Sequence, residues 1–252
     1  MMRINSIETT PLKIFKNKGT YKKRLESAKQ LNLLFFDLLK KTIKKDSVSI
    51  IDYKNALSSV LPPNIKIHVK NLSKNKRMEG VQACVYQIYH DNKLDGALIC
   101  LPYQNDYGNN NKTARVSSLI NNLIAHENFH VFASLLNPKH VMRNKYVSDK
   151  DFCVYEKCLY GTKSNISVNN IKNFMKYLNK KDTIDKINFL QFCRYRLIEE
   201  DLAYKEQDKY GFKNYTIPNF YFKEKIFVLE KLLNFYIAKA RTEKQKLLLK
   251  DK

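Results

Sequence analysis

The feature that most constrains the fold is a strongly apolar stretch near the middle of the chain, at residues 113–136. Apolar side chains recur on most sides of a helical wheel there, and the helix is expected to stop before Pro138. A helix that is apolar nearly all round is stable only inside a protein, so the remaining elements must cover it. The same stretch nevertheless contains His126, Glu127 and His130, which are costly to bury unless they are paired or metal-bound.

These three residues form a motif, because residues 126–130 read H-E-N-F-H and match H-E-x-x-H. A chain of this composition is expected to contain about 0.004 such matches by chance. On a helix, His126 and His130 project from one face, one turn apart, and can bind one Zn²⁺ at about 2.0–2.1 Å. Glu127 is rotated by about 100° from His126 and can therefore act as general base toward a zinc-activated water. The alternative is a pair of core histidines bonded to backbone, with Glu127 in an ion pair.

On this motif the chain resembles the zincin metallopeptidases. In zincins the motif helix lies under a cleft, beside a sheet whose edge strand pairs with extended substrate. The strand-rich residues 80–101, directly before the motif helix, match that order. The resemblance covers about residues 65–210. It implies a zinc peptidase with one Zn²⁺ per chain, in which water attacks the scissile carbonyl and Glu127 acts first as base and then as acid.

The third zinc ligand separates the zincin subgroups. A metzincin continues with Gly and His after the motif, where this chain has Ala133 and Leu136. His140 lies beyond the expected helix end, and the G-T-x-D pattern of aspartate-type zincins fails at Ser164.

A glutamate on a later helix, as in gluzincins, remains. The segment resembles the E-x-x-A arrangement of that subgroup at Glu200 and Ala203, so the resemblance implies Glu200 as third ligand. Glu199 and Asp201 are the runners-up as ligand, or they can instead orient His126 or His130. A solvated acidic patch that answers nearby basic residues is the other interpretation.

A peptidase also needs a group that stabilises the tetrahedral oxyanion. Tyr204 follows Glu200 by four residues, and Tyr195 precedes Glu199 by one turn, so either can reach the expected cleft. An ordinary half-buried tyrosine is the alternative at both positions. We take Tyr204 as the second candidate catalytic residue beside Glu127.

The order of elements indicates an α+β fold that is mostly helical and zincin-like, with a small antiparallel sheet before the buried active-site helix. We expect a single metallopeptidase domain over 1–252, with a helical and sheet lobe at about 1–112 and the active-site helix and helical lobe at about 113–252. The predicted helices are 21–45, 49–60, 113–136, 150–159, 168–180, 184–209 and about 219–248. The predicted strands are 65–69, 80–90 and 96–101.

The net charge of +22 comes mainly from lysine. Phosphate polymers, anionic surfaces and acidic proteins attract such a chain, but lysine-rich composition also arises without any function. The zincin resemblance implies a peptide or protein substrate, and a lysine-rich surface can favour acidic ones. Two alternatives stay open: a basic nucleic-acid-binding protein and a catalytically silent binding module with the zincin fold.

Five widely spaced cysteines indicate reduced thiols, with Cys84 and Cys100 able to face each other on neighbouring strands. No window is apolar enough for a membrane span, and the start of the sequence lacks the apolar core of a signal peptide. These features favour a cytoplasmic protein, or an effector or toxin protease exported without a visible signal peptide. The sequence does not indicate an oligomeric state.

Overall fold

The computed structural model describes residues 21–42, 47–71, 83–90, 93–101, 115–117, 121–136, 147–160, 167–210 and 219–250. Its helices are α1 (Tyr21–Lys40), α2 (Ile50–Val60), α3 (Asn121–Leu136), α4 (Asp149–Tyr155), α5 (Val168–Asn179), α6 (Thr183–Tyr210) and α7 (Asn219–Lys250). A π-helical segment (Glu156–Tyr160) continues α4. The strands are β1 (Ser47–Ser49), β2 (Lys66–Asn71), β3 (Cys84–His90), β4 (Lys93–Leu101) and β5 (Arg115–Ser117).

The fold is mostly helical with small sheets, which confirms the α+β class. The larger sheet has the order β2-β4-β3, and β3 and β4 form the expected antiparallel hairpin. Cys84 lies opposite Cys100 in its register, and all five cysteines are free thiols. Part of the predicted fold was wrong, because β2 pairs with β4 in parallel and the sheet is therefore mixed.

The two backbones approach closely at one point of this parallel pairing. Gly96 lies opposite Lys66, and a β-carbon at Gly96 would collide with the carbonyl group of Lys66. Alternation of apolar residues reveals a strand but not its direction, because both directions bury the same face. The direction depends on how the chain connects β2 to β4, and the alternation pattern carries no information about that connection.

A second correction concerns the start of the motif helix, which was predicted from residue 113. Residues Arg115–Ser117 instead form β5, which pairs antiparallel with β1 so that Val116 lies opposite Val48. A β-branched valine fits an apolar helix position in the sequence pattern, but it is also favoured in strands. The distant partner at β1 decides the outcome, and α3 begins at Asn121.

The other predicted helices agree with the structure to within a few residues. The first is shorter than expected and ends at Lys40, while α6 and α7 cover the predicted ranges. Among the described residues, no helix is both long and apolar enough to cross a membrane.

The chain divides into two compact units, and the division falls inside α6. The first comprises Met1–Pro138 with Leu202–Tyr215, and the second comprises Lys139–Asp201 with Thr216–Lys252. In the first unit, α3 packs against α1 and against β3 and β4. Its largest fully buried side chains are Tyr53, Phe35, Phe129, Phe132, Leu31, Leu39, Leu57, Ile99, Leu101 and Ile124.

The second unit has an aromatic core around the first half of α6. Phe189 stacks on Phe174 of α5, and Phe192 meets Tyr155 of α4 edge to face, with ring centroids 5.6 Å apart in both pairs. Arg194 of α6 pairs with Glu230 of α7 at 2.6 Å. This packing holds α6 between α4, α5 and α7 within the unit.

Candidate metal centre

The motif lies on α3, whose described side chains are nearly all buried. All three motif residues are buried, and so is Asn128 at the third position of the motif. Two polar contacts from neighbouring helices hold α3: Tyr53 of α2 donates to Asn128 at 2.8 Å, and the amide of Asn32 in α1 donates to the Ala125 carbonyl at 2.9 Å. The orientation of α3, and with it of the motif, is therefore specified by buried hydrogen bonds as well as by packing.

The two imidazoles meet at one point. The Nε2 atoms of His126 and His130 are 3.2 Å apart. Two ligands bound to one tetrahedral ion at 2.0–2.1 Å are themselves about 3.3–3.4 Å apart, so the spacing fits a shared zinc ion. Two bare nitrogen lone pairs at this distance repel each other unless a proton or a cation lies between them.

Glu200 joins the two histidines in a group of three candidate ligands. Its carboxylate oxygen and the ring nitrogens of His126 and His130 all lie within 4.8 Å of one another, and all three residues are buried. Two imidazoles and a carboxylate are a ligand set suited to zinc and to several other divalent metals. The residues present therefore fit a metal ion by both chemistry and spacing.

Tyr204 lies one turn after Glu200 on α6. Its ring meets the ring of His126 edge to face, with centroids 4.5 Å apart. The spacing of four residues puts Glu200 and Tyr204 on one face of the helix. Between them, Ala203 is fully buried, as expected for a small residue where elements approach closely.

Arg196 connects the acidic residues that precede Tyr204. Its Nη1 atom lies 3.5 Å from Oε1 of Glu199, and its Nη2 atom lies 3.4 Å from Oε1 of Glu200. Burial alone would lower the pKa of the Arg196 guanidinium, but the negative charges of the two glutamates raise it above its ordinary value. The phenol of Tyr155 is completely buried nearby, and burial raises its pKa well above the ordinary value.

Glu127 is buried in the first unit. Its negative charge is felt by two neighbours. The pKa of Tyr53 is raised well above its ordinary value by burial and then by Glu127. The pKa of Cys84 on β3 is raised to about 12 by burial first, with contributions from Cys100 and Glu127. The Glu127 carboxylate is therefore close enough to α2 and to β3 for its charge to affect the pKa of a residue on each.

The structure brings together His126, His130, Glu200 and Tyr204 among the residues singled out in the sequence. Glu199, the alternative ligand, is instead buried beside Arg196. His140 and Ser164 lie outside the described residues. His68, on β2, is exposed.

Sequence reasoning missed the supporting residues. The spacing of three and four residues between Arg196 and the two glutamates is the signal in the sequence that could have identified it as their shared partner. The contact between Tyr53 and Asn128 joins positions 75 residues apart and leaves no local pattern. The only indication in the sequence is that Asn128 is a polar residue on an apolar helix, which suggests a buried hydrogen-bond partner.

Comparison of the chain with protein-family models, with curated proteins and with solved structures finds no match.

Proposed function

We propose that this protein is a zinc-dependent peptidase whose metal ligands are His126, His130 and Glu200. One observation carries the proposal: two buried histidines four residues apart place their Nε2 atoms 3.2 Å from each other, within 4.8 Å of a buried carboxylate. Buried groups of this kind are costly unless a charged partner compensates them. Three protein ligands leave a fourth position for water or substrate, which is the pattern of catalytic zinc sites.

A zinc ion held by His126, His130 and Glu200 would supply Lewis acidity for activation of water and polarisation of the scissile carbonyl. Glu127 follows His126 directly and has no place among the three ligands. Its role is to accept the proton of the attacking water and to deliver it to the leaving amine. Burial of Glu127 excludes competing solvent from this transfer.

Tyr204 is the proposed electrophilic partner. Its ring lies against His126, so the phenol is held near the ligand set by packing. A phenol hydrogen can stabilise negative charge that develops on the carbonyl oxygen, a contribution that mutagenesis elsewhere puts at about 3–4 kcal/mol for a single donor. The net charge of +22 supports acidic peptides as the preferred substrates.

The test combines zinc content, measured by elemental analysis, with turnover of a fluorogenic peptide library that includes acidic sequences. We expect about one zinc per chain. Glu127→Gln should keep the metal and lower turnover by about 10²–10⁴-fold, because it removes the base and leaves the ligands intact. His126→Ala should lose both metal and turnover.

Matched controls come from exposed residues of the same types. His68→Ala and Glu224→Gln change an exposed histidine and an exposed glutamate, and both should retain wild-type zinc and turnover. Zinc without turnover in the wild type would contradict the peptidase and favour a silent binding module. A wild type that binds no zinc would contradict the metal centre itself.

A further inference from the structure

The ligand glutamate has an unusual neighbour. Glu199 and Glu200 are consecutive and both buried, with side chains 3% and 6% exposed. Two buried carboxylates this close destabilise each other unless a positive charge compensates them. Arg196 supplies that charge to both, through a different nitrogen for each.

Guanidinium geometry suits this double contact. Arg196 precedes Glu199 by three residues and Glu200 by four, so all three side chains lie on adjoining parts of one helix face. The two Nη groups form a rigid planar fork and reach two separate carboxylates at once. A lysine offers one ammonium group at the end of a flexible stem and cannot fix both in the same way.

The contact with Arg196 also makes the two carboxylate oxygens of Glu200 different from each other. Its Oε1 atom faces Arg196 at 3.4 Å. An oxygen that accepts from a guanidinium is less available to a metal, so a metal at this site would bind Glu200 through its other oxygen. Resting on the proposed zinc centre, we propose that Arg196 is a positioning residue that holds Glu200 as a ligand through one oxygen and keeps Glu199 out of the ligand set.

The surroundings of Arg196 fit this role. Its Nε atom and the Tyr155 hydroxyl are buried and have no hydrogen-bond partner among the described residues. The polar contacts of the guanidinium are therefore directed to the carboxylates of Glu199 and Glu200. Arg194, two residues earlier on α6, is directed to Glu230 of α7 instead.

The test compares zinc affinity, measured by competition with a chromophoric chelator, in the wild type, Arg196→Gln, Arg196→Lys and Arg194→Gln. Loss of residues that orient a metal ligand typically weakens binding by about 10–100-fold, and we expect this for Arg196→Gln. Arg196→Lys keeps the charge without the fork and should recover part of the affinity. Arg194→Gln removes an arginine of the same helix and should bind zinc like the wild type.

Cobalt substitution supplies a second readout that does not depend on activity. The visible absorption of bound Co²⁺ reports coordination number, so the Arg196 variants should show a spectrum shifted toward higher coordination as Glu200 binds through both oxygens. Arg194→Gln should keep the wild-type spectrum. Far-UV circular dichroism checks that each variant is folded, and Arg196→Lys carries the test if Arg196→Gln is not.

The outcomes separate this inference from the proposed function. If the wild type binds zinc and both Arg196 variants match it in affinity and cobalt spectrum, Arg196 has no positioning role. If the wild type binds no metal, the zinc centre and the role of Arg196 are both wrong. Equal weakening by Arg194→Gln would mean that the effect comes from disturbing α6 and would also overturn the inference.

Discussion

At the scale of the residue, the site depends on polar groups buried beside the motif. Asn128 is fully buried and accepts a hydrogen bond from Tyr53, which is itself fully buried. Its side-chain nitrogen has no hydrogen-bond partner in the part of the chain that the structure describes. Asn128 thus already carries one unsatisfied donor group. The free-energy cost of burying its side chain therefore depends strongly on the hydrogen bond from Tyr53.

Tyr53→Phe is therefore expected to lower the free energy of unfolding by about 1–3 kcal/mol, because it leaves the Asn128 oxygen buried without a donor. Urea denaturation measures the change. Ser59→Ala, which removes an exposed hydroxyl bonded to the Asn55 carbonyl, should stay within about 0.5 kcal/mol of the wild type. Equal effects of the two changes would show that the buried contact contributes nothing special.

At the scale of the element, the start of α4 is fixed by a capping box. Ser148 accepts from the Asp151 backbone, and the Asp151 carboxylate accepts from the Ser148 backbone at 2.8 Å. The same carboxylate pairs with Lys181 at 2.7 Å and accepts from Tyr177 at 3.1 Å. One buried aspartate thereby joins the cap of α4 to α5 and to the turn before α6.

This cluster makes stability depend on pH. Burial alone would raise the pKa of Asp151, but hydrogen bonds from Lys181 and Ser148 lower it below its ordinary value of 3.8. Because the folded-state pKa is lower than the unfolded one, the stabilisation is complete above the unfolded value. It is lost as the pH falls through the folded-state pKa.

Asp151→Asn should lower the free energy of unfolding by about 1.5–3 kcal/mol at pH 7, since it removes charge-assisted hydrogen bonds. The difference from the wild type should shrink as the pH approaches 2. Denaturation curves between pH 2 and pH 7 measure both effects. Asp37 forms an exposed ion pair with Lys40. Asp37→Asn should therefore leave the free energy of unfolding almost unchanged at any pH. A constant deficit for Asp151→Asn across the range would contradict the assigned shift.

At the scale of the whole molecule, the proposed metal binding would be linked to global stability. A ligand that binds only the folded state stabilises it by about 2.7 kcal/mol when its concentration is 100 times Kd. For a chain of about 250 residues this corresponds to about 5–10 °C in Tm. The described residues include one group with the composition of a metal site, so the effect should disappear when that group is broken.

Thermal unfolding with zinc and with EDTA tests this link. The wild type should melt about 5–10 °C higher with zinc, and His130→Gln should melt at the same temperature under both conditions. His68→Gln, an exposed histidine on β2, should keep the full difference. A difference that persists in His130→Gln would place the binding of zinc elsewhere in the chain.

Local sequence information predicted much of the fold. Helical periodicity located the helices after the motif to within a few residues, and the segments flanking residues 91–95 identified the β3 and β4 hairpin. It could not identify β1 and β5, which are three residues each and exist only because they pair with each other. Short elements of this kind are stabilised by a distant partner and have no pattern of their own.

The sequence by itself determined the spacing of His126 and His130, because two residues four apart on a helix must share a face. Only the tertiary structure decided which carboxylate meets them and how it is held. Glu200 is 70 positions from His130, so the proximity of its carboxylate to the two imidazoles depends on how α6 is placed and not on any local pattern. Helical geometry is set by neighbouring residues, whereas the approach of two helices is set by packing across the core.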